Sequence, residues 1–183
     1  MATTFKNVLQ NNISPVLSAT AVASATPGAG SVTISFATQP AIPFIVGSYI
    51  TVAGITVSGY NGTYQVTAAT VSSVRYANST TGAATGGTIT PTLLVSNASA
   101  KTTVIGLSLT NTTTNVVLAS VQLQDTVAVT SAYYIKDIVI PASQSLRIVS
   151  AGEKLILGPS TNVLVSCSTA SSIDAIVSYV EIS

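Results

Sequence analysis

The chain is predicted to be all-β, an antiparallel β-sandwich or jelly-roll-like domain carrying a second, small β-barrel or sandwich module. Two observations predict this, and composition adds the character of the surface. Helical periodicity is nearly absent, and segments rich in Val, Ile, Thr and Tyr alternate in polarity instead. Gly, Pro, Asn and Ser separate these segments at intervals of roughly 8–12 residues, the spacing of sandwiches and small barrels. The polar surface is hydroxyl and amide, not ionic: 27 Thr and 25 Ser fill 52 of 183 positions. Only 6% of residues are charged, against about 25% in an ordinary soluble domain.

The strands are expected in the following order. Phe5–Gln10, Ser31–Ala37, Tyr49–Ala53, Thr63–Ala68, Ser73–Ala77 and Gly87–Thr90 form a first series. Leu93–Ser96, Thr103–Asn111, Val116–Gln124, Ser131–Asp137, Ile138–Ile140, Ser145–Val149, Lys154–Leu157, Asn162–Cys167 and Ile173–Ile182 form a second. Pro27-Gly28-Ala29-Gly30 breaks the chain before Ser31. Asn61-Gly62 predicts a type I′ hairpin turn, because both residues tolerate positive φ. Residues 81–87 (TGAATGG) predict a loop, and Pro141 and Pro159 stop the strands before them by removing a ladder donor. The last strand is apolar on both faces almost to its end, which predicts a central strand or one covered on both sides.

Charge divides the chain. No charged residue lies between Lys6 and Arg75, and nine of the eleven charges follow residue 92. A boundary near Pro91 is expected. As one globule, a chain of this mass would bury about 70% of its unfolded surface.

Composition excludes several chemistries. With no His, neither a Ser-His-Asp triad, a Cys-His dyad nor a His-ligated zinc site is available. Cys167 stands alone, so no disulfide forms within the chain, and it reads as a small buried hydrophobe. No Asp-x-Asp-x-Asp run offers calcium ligands. No Lys/Arg cluster offers a phosphate-tracking surface, so nucleic acid is not an expected partner. No run of 18 apolar residues is present, and the first twelve residues lack the apolar core of a secretory signal. With no Trp, three Phe and seven Tyr, the aromatic girdles of a membrane barrel are missing too. No membrane partner is expected.

The carboxylates are then the only acid–base candidates. A glycosidase needs two facing each other, but Asp125, Asp137 and Glu153 read more simply as turn or strand-end charges. The Gly82–Gly87 loop does not lead into a helix and reads as a connector. The Asn-x-Ser/Thr sites at Asn12, Asn61, Asn78, Asn97 and Asn111 are expected by chance in so hydroxyl-rich a chain. No catalytic, metal-ligating or cofactor-binding residue is assigned, no cofactor is expected, and the protein is not expected to be an enzyme. Tyr60 beside the Asn-Gly turn, with Asn61 and Tyr64, is the best candidate for an exposed partner contact.

Three stretches carry a resemblance. They are residues 46–55 (VGSYITVAGI), 58–67 (SGYNGTYQVT) and 76–88 (YANSTTGAATGGT). Together they resemble a small β module that recurs in tail, fibre and other structural proteins of tailed bacteriophages. Pro43-Phe44-Ile45 stands where such modules usually carry His-Gly. The remainder resembles a family of small phage virion proteins, through Phe5–Leu9, Thr102–Thr112, Val121–Asp125, Tyr133–Leu146, Lys154–Gly158 and Ile176–Ser183. The resemblance implies that residues 1–14 pack with residues 93–183 as a docking domain, and that residues 15–92 are an inserted module. It implies a virion location after assembly in the bacterial host cytoplasm, as a capsid decoration or cement protein. The alternative is a neck- or tail-attached fibre or adhesin that binds host glycan. Implied partners are the major capsid or neck and tail proteins, and copies of the chain itself, with trimers favoured.

Overall fold

The computed structural model describes residues 2–24, 30–150 and 152–183. The fold is all-β and antiparallel, as the alternation predicts. Among the described residues fourteen strands run in order: β1 (Thr3–Ile13), β2 (Leu17–Ser24), β3 (Ser31–Phe36), β4 (Tyr49–Ala53), β5 (Gly62–Ala69), β6 (Ser73–Ala77), β7 (Thr88–Leu94), β8 (Lys101–Asn111), β9 (Val117–Asp125), β10 (Thr130–Ile140), β11 (Ser145–Val149), β12 (Leu155–Leu157), β13 (Thr161–Cys167) and β14 (Ile173–Ile182).

Two sheets are built from them. The first has the order β1-β14-β8-β11, with β12 also on β8. The second runs β10-β9-β13-β7-β2-β3-β6-β5-β4, and β4 returns to pair with β7. That return closes β7, β2, β3, β6, β5 and β4 into a six-stranded barrel, which removes their free edges. The other end of the second sheet packs over the first as a sandwich.

Each unit has its own apolar interior. Ile13, Leu93, Val104, Leu107, Leu109, Val121, Val163 and Val177 lie in the sandwich core. Leu17, Val32, Ile34, Ile50, Val66, Tyr76 and Ile89 lie in the barrel core. The chain changes core between Ile13 and Leu17, and again between Ile89 and Leu93. The two crossings are neighbours, because Leu17 pairs with Ile89. β1 is held on β14 along Thr3 to Ile13. It is also tied by the Lys6–Glu181 ion pair at 2.6 Å, and the hydrogen bond to Glu181 raises the Lys6 pKa.

Several expectations are corrected. β2 is a strand where none was predicted. The segments predicted as Gly87–Thr90 and Leu93–Ser96 are one strand, β7, running through Pro91. Pro91 faces Ile50, at the point where the neighbour of β7 changes from β2 to β13. A missing N–H is tolerated there. Ser131–Asp137 and Ile138–Ile140 are likewise one strand, β10, kept continuous by two register shifts. The Asn61-Gly62 turn is not type I′. Ser58–Tyr60 forms a 3-10 turn, and Asn61 is extended at φ −79°. The loop at Gly82–Gly87 is pinned by a bridge from Ala84 to Val22. β14 is central, but its outer face is bare, with Ile176 46% exposed. Of the predicted Pro27–Gly30 break, Pro27, Gly28 and Ala29 lie outside the described residues.

Candidate functional site

The Tyr60, Asn61 and Tyr64 triplet is brought together, but as a brace inside the barrel. Tyr60 is 0% exposed, which corrects its expected place on the surface. Its ring fills the barrel core, and its hydroxyl donates to the Gly82 carbonyl at 2.7 Å. Asn61 accepts the Ile55 N–H at 2.9 Å and donates to the Ile55 carbonyl at 3.0 Å. Its side chain thus replaces a strand neighbour for Ile55. Tyr64 stacks on Tyr76 with ring centroids 4.3 Å apart and 18° between planes. Its hydroxyl donates to the Asn61 carbonyl at 3.0 Å and accepts from Asn78 at 3.0 Å. Tyr76 donates to the Tyr60 carbonyl at 3.1 Å. Burial pushes the Tyr76 hydroxyl pKa far up and that of Tyr64 up less strongly. Asn61 and Tyr64 stay half-buried, so only their edges reach solvent.

The acids are each engaged locally or stand alone at a turn. Asp125 accepts the Ala128 and Val127 N–H groups at 2.9 and 2.8 Å, and these two bonds lower its pKa. Asp137 is joined to the Ser120 hydroxyl at 3.2 Å, and Asp174 accepts the Asn12 N–H at 3.1 Å. Glu181 holds Lys6. Glu153 is exposed beside its turn. Among the described residues, no three His, Cys, Asp or Glu side chains gather into a metal-sized cluster. Cys167 is buried with its thiol at 3.1 Å from the Ile13 carbonyl, and burial raises its pKa.

Two grooves flank the junction of barrel and sandwich. The first, of about 630 Å³, is walled by Asn61 and Thr63 of the barrel and by Gln124, Thr126 and Asn162 of the sandwich. Hydroxyls and amides bridge it at its floor. Thr51 lies 2.8 Å from Thr92 and 3.1 Å from Thr63, and Asn162 donates to Thr63 at 2.9 Å. The Gln124 side-chain oxygen is buried here without a partner. The second groove, of about 560 Å³, runs between β1 and residues 45–49 and contains the Lys6–Glu181 pair.

The outer faces of the sandwich carry the exposed apolar groups. On the first sheet, Phe5, Val180, Thr103 and Ile156 stand in one cross-strand row. Leu9, Ile176, Ser108 and Arg147 stand in a second. Phe5 is 75% exposed, and Leu9 and Ile156 are each 73% exposed. On the opposite sheet, the β9–β10 hairpin exposes Val127, Val129, Tyr133 and Val139. The sequence signal for the first surface was present in the two-faced apolar pattern of residues 173–182. It pointed to a cover that the described residues do not supply.

These features define a class: a two-unit, all-β protein whose polar motifs brace its interior and whose exposed apolar groups lie on opposite sheets. No protein-family model and no curated protein sequence matches the chain.

Proposed function

We propose that the chain is a non-enzymatic structural protein of a tailed-bacteriophage particle, a decoration or cement subunit on the capsid surface. One observation carries the assembly part of this reading. Apolar side chains are exposed on both outer faces of one sandwich, so a single subunit offers two surfaces for burial against neighbours. Scarce charge adds little repulsion between copies. Four of the five carboxylates have local structural partners, which supports the non-enzymatic reading. The phage assignment itself rests on the resemblances of residues 46–88 and of the remaining chain. With residues 15–92 as an inserted module, the sandwich is the docking part and the barrel projects from it.

The neutral groove between the units favours a second reading, a neck or tail adhesin. Amide and hydroxyl groups over apolar walls suit an uncharged sugar. Purified particles separate the readings. Decoration predicts hundreds of copies per particle by quantitative mass spectrometry, distributed over the capsid in electron micrographs. A neck or tail position predicts tens or fewer at one vertex. Absence from the particle overturns both.

A further inference from the structure

We infer that the bare outer face of the β1-β14-β8-β12 sheet binds a second copy of this chain, as a two-fold, face-to-face pair. The inference goes beyond the particle reading and does not depend on it.

The area fits. An antiparallel sheet that faces water has a polar outer face, yet this one presents Phe5, Leu9, Ile105, Ile156 and Ile176. Together they expose roughly 500 Å² of apolar surface, the size of the largest patch on a typical monomer. A stable pair buries about 800 Å² per partner, of which about 65% is apolar in homodimers. The exposed apolar rows are close to the apolar share of such an interface, and the intervening Thr, Ser and Asn residues supply polar area beside them.

The shape fits as well. A shallow depression of about 250 Å³ lies over Gly106, bordered by Ile105, Arg147, Ile176 and Ser178. Phe5 is the most exposed large side chain on the same face. Phe5 pairs with Val180 and Gly106 with Ser178, so protrusion and depression flank β14 on opposite sides. A two-fold axis over β14 near Ser178 sets Phe5 of each protomer into its partner's depression. The contact is then self-complementary, as an isologous interface must be.

Charge on the face is sparse. Lys101, which pairs with Ile182, Arg147 and Asp174 are the charged groups at its strand positions among the described residues. Two bases and one acid on three separate strands leave little net charge to repel a second copy.

Edge pairing is the competing route, and the edges are blunted against it. β10 carries two register shifts, with Lys136 and Asp137 in its bulged stretch. β1 shifts register between Gln10 and Ile13. Bulges and charges on edge strands oppose edge-to-edge association. The face carries no comparable protection.

Light scattering after size exclusion tests this on the full chain. The expected mass is twice 18.4 kDa. Phe5→Glu or Ile176→Glu should return the monomer mass, with association weakened by about thirtyfold or more. Gly106→Val puts a branched side chain into the depression, and its Cβ meets nothing closer than 3.8 Å. It should have the same effect with an unchanged circular dichroism spectrum. Ser178→Cys should form a disulfide-linked pair on mild oxidation, whereas Val139→Cys on the opposite sheet should not. A monomer or trimer mass for the natural chain overturns the inference. So does a pair that survives both Ile176→Glu and Gly106→Val.

Discussion

Asn162 of β13 donates its side-chain N–H to the Thr63 hydroxyl of β5 at 2.9 Å, across the junction of sandwich and barrel. Asn162 is 2% exposed, so the bond is protected from water. Asn162→Ala should lower stability by about 1–2 kcal/mol, the cost of a lost buried hydrogen bond and its unmet partner. Urea unfolding gives the value. An unchanged midpoint would show that the junction is held by strand pairing alone.

Gly87 closes the barrel just ahead of β7. Its φ is +92°, and an added Cβ would lie 2.5 Å from the Ile55 side chain and 2.9 Å from the Ala53 carbonyl. Gly87→Ala should cost more than about 1 kcal/mol, because strain and overlap both oppose it. Gly30→Ala has an open site at φ +60° and should cost less. Equal losses in thermal melts would contradict this ranking.

Val129 sits at the hairpin tip with φ +53°, where a β-branched side chain is strained. It is 81% exposed, so nothing in the monomer repays that strain by burial. Val129→Asn should raise stability by about 1 kcal/mol, since Asn tolerates the left-handed region. If the tip docks on a partner protein, the same change should weaken that binding while stabilising the free chain.

Alkaline pH should unfold the barrel. Burial raises the Tyr76 and Tyr64 pKa values above those of the unfolded chain. The folded state therefore holds these protons more tightly. The stabilisation is complete below the unfolded Tyr value and is lost as pH rises toward the folded values. Absorbance of tyrosinate should show Tyr76 ionising only with loss of near-ultraviolet dichroism. Ionisation of all seven tyrosines in one reversible step at the ordinary value would refute the burial argument.

Deleting residues 16–91 should leave a folding sandwich. Ile13 and Leu93 flank the deletion and already share one core. The shortened chain should retain a cooperative melt, with reduced stability because the first half of β7 is gone. A non-cooperative product would show that barrel and sandwich fold only together.

Much of the fold was legible in the sequence because alternation is a local signal. β4, β6, β11 and β14 have the bounds that their Val, Ile and Tyr patterns predict. β2 escaped because Leu17–Ser24 is mostly Ala and Ser, which carry little strand preference. Its place comes from β3 and β7, which pair with it from distant parts of the chain. The candidate contact was less legible. Tyr60 stands beside an Asn-Gly pair, which suggests an exposed turn. What buries it is the Gly82 carbonyl, 22 residues onward, which satisfies its hydroxyl. The bare face was half visible. Apolar residues on both sides of residues 173–182 were evident, but no local pattern tells whether the chain covers its own second face.

β7 also has a mechanical consequence. Its first residues close the barrel against β2 and β4, and its last residues lie in the sandwich against β13. The two units therefore have no hinge at this crossing, and the barrel is a rigid lever on the sandwich. A tug on the barrel along β7 loads the β7–β13 and β7–β4 ladders in shear. Ladder bonds then share the load in parallel rather than opening one at a time. A projecting part built this way would pass torque to its base instead of flexing away from it.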